Sequence, residues 1–579
     1  MSNRKNTNYI TNILGLDSEA DTRGYPFMFC FSNGITFTLD DIPKIFFNVD
    51  TLHFSTYNLK YDSGNILRCL DKKAMWELWK YGNVKFKGYY FEYIPHKNLM
   101  IQKGRVRKRI WDIAQFYKMS LDKAGKKYLN RGKIEISTKK FTKKYIEKNY
   151  KEIKKYCIAD AELCADLSEF LIEKLKTFDI NTTALYSYAS LSMQYFKDMS
   201  KIVDVSRLYR AYPELIKFAI DSYQGGKFEV TGKGHFNNSY EYDIVSAYPY
   251  QIKNLPDLQF CKVVKDKKYQ KDAYYGFLRC KIEIGDYINI SHGLLDSNTR
   301  VYPIGLYHVT ITKNEYDYYK SQGVKIKILS AYWIFIDNPV FPYRKVIDNL
   351  FKIKHDYKGK DITIYNLAKY IMNSFYGKTC QLITKVSRKT DEKYLDAGTA
   401  FNPIHASVIT ANTRLQVTEL QNIMGADCLA VHTDSIMSKK KIPDKYITNE
   451  LGGFEYVDNG DTIIIACGCY QVNDTKAFKG FNPKKRGHKI EDWYTLLEKH
   501  YNDMYINYSD LVVPSWYECS FRGDFEKINL FTKREKKILL NADIKRIWER
   551  DNLKGKNYLK NNYIGEHRIV VNSKKPVYW

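Results

Sequence analysis

Proline is scarce in this chain, 14 in 579 residues, and no internal repeat or low-complexity stretch interrupts it. A repeat array is therefore excluded, and domain boundaries must be inferred from where pattern and motifs change. The 11 cysteines are odd in number and scattered, with Cys467 and Cys469 the one close pair, so neither a disulfide framework nor a zinc module is indicated. No uninterrupted apolar run approaches the ~18 residues of a membrane span. The opening stretch MSNRKNTNYITNILGL lacks a charged-then-apolar signal pattern. A cytoplasmic setting, without a membrane partner, is the expectation. Acidic charge is the remaining deficit: 65 Asp and Glu stand against 92 Lys and Arg, a formal net charge of +27.

What is present gives that surplus a meaning. Hydrophobic residues make up 44% of the chain, which excludes a disordered polycation and favours a folded protein that meets a polyanion. At roughly 150 residues per domain the length suggests three or four domains. The 50 tyrosines suit bases and sugars, each offering a stacking face and a hydroxyl, although an A- and T-rich genome also inflates Tyr and Lys.

Residues 1 to about 180 read as strands followed by basic helices. The apolar run Ile13 to Leu16 reads as a buried strand that delivers Asp17, Ser18 and Glu19 at its end, with Asp17 and Glu19 on one face by alternation. A long basic helix is expected from about Thr142 to Leu175, where Tyr156 and Asp160, four apart, share a face. The stretch Glu241 to Val245 reads as a strand stopped by Ser246, Ala247, Tyr248 and Pro249. From Asp361 to Lys378 the apolar positions Ile364, Leu367, Ala368, Ile371, Met372 and Phe375 have helical spacing, ended by Gly377, with Tyr365, Lys369, Asn373 and Tyr376 opposite. Residues Cys428 to Met437 read as strand, tight turn and strand, with Asp434 at the tip.

Two groups of acids follow. Asp17, Glu19, Asp62 and Asp160 supply the four carboxylates that two-metal hydrolysis of a phosphodiester requires, with Tyr156 one helical turn from Asp160 to hold the water. Asp243 and Asp434 supply the pair that nucleotidyl transfer requires, with Lys369 for the phosphates and Tyr248 against the sugar. Taken singly, each acid is as readily a solvated surface group, Tyr248 a core aromatic and Lys369 a surface lysine. The ordered set is what carries weight.

That set resembles the protein-primed members of the family B DNA polymerases. Tyr242 to Pro249 is similar to the motif D-x-x-S-x-Y-P, which includes Ser246. Lys369 with Asn373 to Gly377 resembles K-x-x-x-N-S-x-Y-G, and His432 to Ser435 resembles D-T-D-S. Asp17/Glu19, Asn58/Asp62 and Tyr156/Asp160 match the three 3′–5′ exonuclease motifs in order. Tyr223, Gln224, Gly225 and Gly226 resemble the Y-x-G-G linker, and Ser120-Leu121 the motif that contacts single-stranded DNA.

The resemblance implies a mixed α/β, multidomain fold. An RNase H-like exonuclease domain (1–185) would be followed by a palm (186–250 and 404–488), fingers (346–381) and thumb (489–579). Two insertions (251–345 and 382–403) would interrupt the polymerase half. It implies Asp243 and Asp434 as polymerase metal ligands and Asp17, Glu19, Asp62 and Asp160 as exonuclease ligands, with two Mg²⁺ or Mn²⁺ ions per site and Tyr156 assisting. Tyr248, Lys369, Asn373 and Tyr376 would contact the incoming dNTP. Asn58, Ser120, Leu121, Tyr223, Gly225, Gly226, Ser246, Gly377, Tyr470 and Lys479 would contact DNA. The implied partners are primer-template DNA, dNTPs, a terminal protein as primer and a single-stranded DNA-binding protein, in the host cytoplasm of a virus or phage.

Two positions depart from the pattern. His432 replaces the first acid of D-T-D-S, and Gly468 stands where the K-x-Y motif ending at Tyr470 has lysine, leaving Lys476 or Lys479 as substitutes. Protein priming rests on architecture as well: 130 positions separate Asp243 from Asn373, far more than a strand-to-helix connection needs. Gly377-Lys378-Thr379 resembles the end of a P-loop, but Met372 stands where its first glycine is required, so an ATPase is rejected. The basic runs at 484–486 and 533–537 are expected to track phosphates. The rival readings are a noncatalytic DNA-binding replication factor and an exonuclease with a lapsed polymerase half.

Overall fold

A computed structural model of the chain describes residues 9–137, 141–285, 288–296, 299–303, 305–478, 505–512, 519 and 532–539. Its first unit is an eight-stranded sheet. The strands are β1 (Ile13–Ala20), β2 (Pro26–Phe31), β3 (Thr36–Phe37), β4 (His53–Thr56), β5 (Asn83–Phe86), β6 (Tyr89–Ile94), β7 (Asn98–Lys103) and β8 (Val106–Asp112). They lie in the order β3-β2-β1-β4-β8-β7-β6-β5, with β1, β4 and β8 parallel. Strand β1 runs on past the expected end, because Glu19 and Ala20 still pair with Met28 and Pro26 of β2. Asp17 and Glu19 therefore sit within the strand and not at its end.

The expected basic helix is two helices, Lys143–Lys148 and Tyr150–Lys176, broken at Asn149, whose side chain turns back to the Tyr145 carbonyl at 2.9 Å. The longer one lies across β1. A Cβ on Gly15 would fall 1.7 Å from the Ala161 carbonyl oxygen, so only glycine lets strand and helix approach this closely.

The second half begins with β9 (Lys227–Val230) and β10 (Gly234–Ile244). Within 251–345 lie β11 (Lys262–Lys265), β12 (Tyr275–Ile284), β13 (Leu294–Asp296), β14 (Thr299–Val301), β15 (Gly305–Thr312) and β16 (Lys325–Phe335). Four of them form a sheet, β11-β16-β12-β15, with its own core around Leu278, Ile282 and Trp333. A hairpin, β17 (Leu382–Val386) and β18 (Lys393–Ala397), occupies the second expected insertion. Then come β19 (Cys428–Thr433), β20 (Ser435–Ser438), β21 (Phe454–Ala466), β22 (Cys469–Val472) and β23 (Thr475–Phe478). The central sheet runs β23-β22-β21-β10-β20-β19-β9.

The helix Ile362–Thr379 buries all six apolar positions that its spacing predicts. Asp361 caps it, its carboxylate accepting from the N–H groups of Thr363 and Ile364. Gly377 does not end it. The helix passes through this exposed glycine to Thr379, at a cost of about 1 kcal/mol against alanine. Phe375 stacks on Phe196 with ring centroids 3.9 Å apart, in a core that also contains Trp111 and Leu163. Burying one such side chain contributes about 1.5–3 kcal/mol. One core thus joins the helices of both halves.

Candidate functional site

The first centre is assembled where β1 meets the helix Tyr150–Lys176. Ligand atoms of Asp17, Glu19 and Cys157 lie within 4.8 Å of one another. Asp160, 2% exposed, ion-pairs with Lys133, whose ammonium also stands 5.0 Å from the Tyr156 ring centre. Asp62 lies at the edge: its carboxylate accepts a 2.6 Å hydrogen bond from Ser18, which in turn accepts from Asn65 at 2.9 Å. Burial, with Asp160 beside it, pushes Asp17 up to about 7 against the pull of Lys133. Burial also raises Glu19, Asp62 and Asp160. One oxygen each of Asp17 and Asp160 is buried with no hydrogen-bond partner. The close carboxylates of Asp17 and Glu19, with an unsatisfied oxygen on Asp17 and another on nearby Asp160, fit a divalent cation of the Mg²⁺ or Mn²⁺ type.

Around this centre, Asn58 adopts a left-handed conformation (φ 74°) and its N–H donates to Asp112. Ser120 caps the helix Leu121–Leu129, and Leu121 packs into the core. Both have structural work that the sequence motif does not reveal.

The second centre is in the central sheet. Register places Asp243 opposite Ser435 on β20 and opposite Glu455 on β21. Asp434 occupies the turn between β19 and β20, and its carbonyl accepts from the Ile244 N–H at 2.9 Å. Burial, then Asp434 and Glu455, push Asp243 up to about 7, while Lys369 opposes them; burial raises Asp434 as well. Ser246, left-handed at φ 51°, begins the helix Ala247–Lys253 and accepts a 3.1 Å bond from Lys354. Pro249 falls in that helix's first turn, where a missing N–H costs nothing. Lys369 and Asn373 project, exposed, from the helix Ile362–Thr379. Tyr248 and Tyr376 are in ring contact at 4.5 Å, and the hydroxyls of Tyr376 and Tyr223 share a 2.5 Å hydrogen bond.

The linker motif lies against this centre. A Cβ on Gly226 would meet the Thr433 methyl at 2.4 Å, next to Asp434. The carbonyls of Gln224 and Gly225 accept from the buried Arg414, whose other terminal nitrogen pairs with Glu315 at 3.0 Å. His432 stacks on Tyr470 (4.8 Å, 6°) and accepts from the Gly468 N–H at 3.4 Å. The two departures from the motifs thus contact each other. Lys479 and the basic run at 484–486 lie outside the described residues, as does most of 489–579.

Lys133, Lys354, Glu455 and Arg414 escaped the sequence reading. Each comes from a segment with no motif and is placed by tertiary packing. The one available signal was a residue type, a cation or acid near the right partners, without a spacing to single it out.

A family model described as DNA polymerase type B, organellar and viral, matches residues 83–400. A DNA polymerase of Acidianus bottle-shaped virus (isolate Italy/Pozzuoli) is 27% identical, the match covering 47% of this chain and 42% of that protein. A probable DNA polymerase of Podospora anserina is 23% identical, over 50% of this chain and 31% of that protein. The match therefore spans less than half the length of these relatives. Among solved structures, Phi29 DNA polymerase in ternary complex with primer-template DNA and incoming nucleotides has a TM-score of 0.60 at 13% identity, covering 91% of this chain and 99% of that one. The orthorhombic crystal form of Phi29 DNA polymerase gives 0.55 at 14% identity, over 81% and 89%. At such identities the likeness is one of fold.

Proposed function

The chain belongs to the organellar and viral DNA polymerases of type B, and from that premise we propose that it copies DNA templates and edits them 3′–5′, starting from a terminal protein. The observation that carries the reading is the meeting of Asp243 and Asp434 in the central sheet, against Lys369 and Tyr248. Asp243 and Asp434, with Glu455 alongside, would hold two Mg²⁺ or Mn²⁺ ions, which would supply activation of the 3′ hydroxyl and neutralisation of triphosphate charge. Lys369 and Lys354 present ammonium groups to the phosphates. Tyr248, fixed by Tyr376, closes the space a ribose 2′ hydroxyl needs, while Asn373, Gly377 and the Tyr223–Gly226 linker line template and base pair. Tyr470 and Lys479 bind the primer strand.

In the editing centre Asp17, Glu19, Asp62 and Asp160 would hold the ions, and Tyr156, positioned by Lys133, would orient the attacking water. Asn58, Ser120 and Leu121 hold the frayed primer end. The four-stranded unit within 251–345 contacts the terminal protein, the hairpin within 382–403 encloses downstream DNA, and 489–579 forms the thumb. A single-stranded DNA-binding protein assists, in the cytoplasm of the virus's host.

The test is primer extension and nucleotidylation by the purified protein with Mg²⁺, with and without a candidate terminal protein. Template-dependent extension plus deoxynucleotide labelling of the terminal protein is expected. Binding to primer-template without extension or trimming would make it a noncatalytic replication factor. Trimming that dNTPs never suppress would make it an exonuclease alone.

A further inference from the structure

The hairpin half of the N-terminal sheet carries a basic cleft that neither centre uses. Register sets two rows of side chains across one face: Lys85, Tyr90, Gln102 and Arg107, then Asn83, Glu92, Met100 and Arg109. The other face packs Val84, Phe91, Leu99, Ile101 and Ile110 into the core, so the alternation of each strand forces the charged set outward. The open face forms a cleft of about 440 Å³ whose wall is completed by Tyr186.

Its electrostatics are one-sided. Lys85, Arg107 and Arg109 face one acid, Glu92, and none of the three forms an ion pair among the described residues. Arg388 of the β17–β18 hairpin stands at the rim, donating to the Asn83 carbonyl at 2.6 Å and paired with Glu77 at 3.7 Å. Elsewhere Arg131 is matched to Asp166, Arg279 to Asp221 and Arg414 to Glu315. Unmatched guanidinium groups beside aromatic rings in a narrow cleft are a recognition pattern for phosphates with unstacked bases. Bases in a duplex are already stacked and paired, so only a single strand offers an open base face to Tyr90.

The cleft is on the same sheet face as Asp17 and Glu19, because Ile13, His53, Arg109 and Met100 are successive partners in one row. Three strand spacings and four residues along β1 nonetheless put it about 20 Å from those acids. It is therefore separate from the primer-trimming pocket.

We propose that this cleft binds single-stranded DNA outside both catalytic centres, with Lys85, Arg107 and Arg109 on phosphates and Tyr90 under a base. The inference rests on the polymerase reading for its source of single strand, which is either template ahead of synthesis or the displaced strand.

The test uses the full chain and labelled oligothymidylate, read by fluorescence anisotropy across salt concentrations. Lys85→Glu with Arg107→Glu should weaken binding at least tenfold and reduce the log–log salt slope by about 1.4, two phosphate contacts at ~0.7 each. Tyr90→Ala should weaken it about tenfold and Tyr90→Phe restore it. Incorporation opposite a one-nucleotide template overhang should be unchanged in all these variants, which establishes that they fold. Photocrosslinking from halogenated uracil in a template overhang or in a displaced flap assigns the source, by which substrate labels residues 83–109. Unchanged affinity and slope in the charge-reversed variant, or crosslinks to 83–109 from neither substrate, would overturn the proposal. Failure of the wild-type protein to incorporate nucleotide would instead overturn the polymerase reading and leave the anisotropy result standing.

Discussion

The two carboxylate centres of this protein obtain their positive charge in different ways. In the centre proposed for editing the cation is built in: Lys133 pairs with the nearly buried Asp160 and sits against Tyr156. In the polymerase centre Lys369 lies exposed on another helix, near enough to favour the ionised forms of Asp243 and Asp434 but forming no ion pair among the described residues. The first centre neutralises part of its own charge before substrate arrives. The second leaves its cation without an ion pair among the described residues, which in the proposed reading suits a site that accepts and releases triphosphates.

The separation of the centres predicts the largest effect. Asp434→Ala should lower primer extension by at least about 10³-fold while trimming of a single strand stays within about twofold, since the lost carboxylate is a direct metal ligand in this reading. Asp17→Ala with Glu19→Ala should do the reverse. Parallel gel assays of extension and trimming check both, and extension surviving in the first variant, or trimming in the second, would break the comparison at its root.

The difference in cations predicts a smaller, two-part effect. Lys133→Met should lower trimming about 10²-fold, chiefly in kcat, because it removes a preorganised charge beside Asp160 and Tyr156. Lys369→Met should act on extension chiefly by raising KM for dNTP, because its partner arrives with the substrate. Steady-state kinetics in Mg²⁺ distinguishes them. Equal KM effects in both variants would mean that the two lysines do the same job.

Much of both centres was legible because their motifs lie on regular elements. The 3.6-residue spacing of Ile364 to Phe375 identified a buried face and thereby exposed Lys369 and Asn373. Alternation put Asp17 and Glu19 on one side of β1, and the strand–turn–strand pattern put Asp434 at a tip. What failed was punctuation. Gly377 is a weak helix residue but no cap, since the chain continues its hydrogen bonding to Thr379. Asn149, by contrast, breaks a helix that periodicity alone reads as continuous. Lys133, Lys354 and Glu455 reach the centres from segments far along the chain, and the rows of the basic cleft exist only once β5 to β8 have chosen their register.

Acid should separate the two halves by a smaller margin. In the polymerase half, burial holds His292 down to about 4 and His405 to about 3, and one ring nitrogen of each has no hydrogen-bond partner. A histidine depressed on folding contributes stability that is fully present above its unfolded value, near 6.5, and is lost as pH falls through the folded value. At pH 5 each has lost about 2 kcal/mol, 1.5 units at 1.36 kcal/mol per unit. In the editing half His53, held at about 4 by burial and by Arg109, acts in the same direction. Asp112 there acts oppositely: burial raises it to about 6, so protonation favours the folded state as pH falls from 6 towards 4. Between pH 7.5 and 5, hydrogen–deuterium exchange protection, corrected for the intrinsic rate at each pH, should therefore fall sooner around His292 and His405 than across β4 and β8. Protection that falls first in β4 and β8 would place the acid-labile half of the molecule on the N-terminal side.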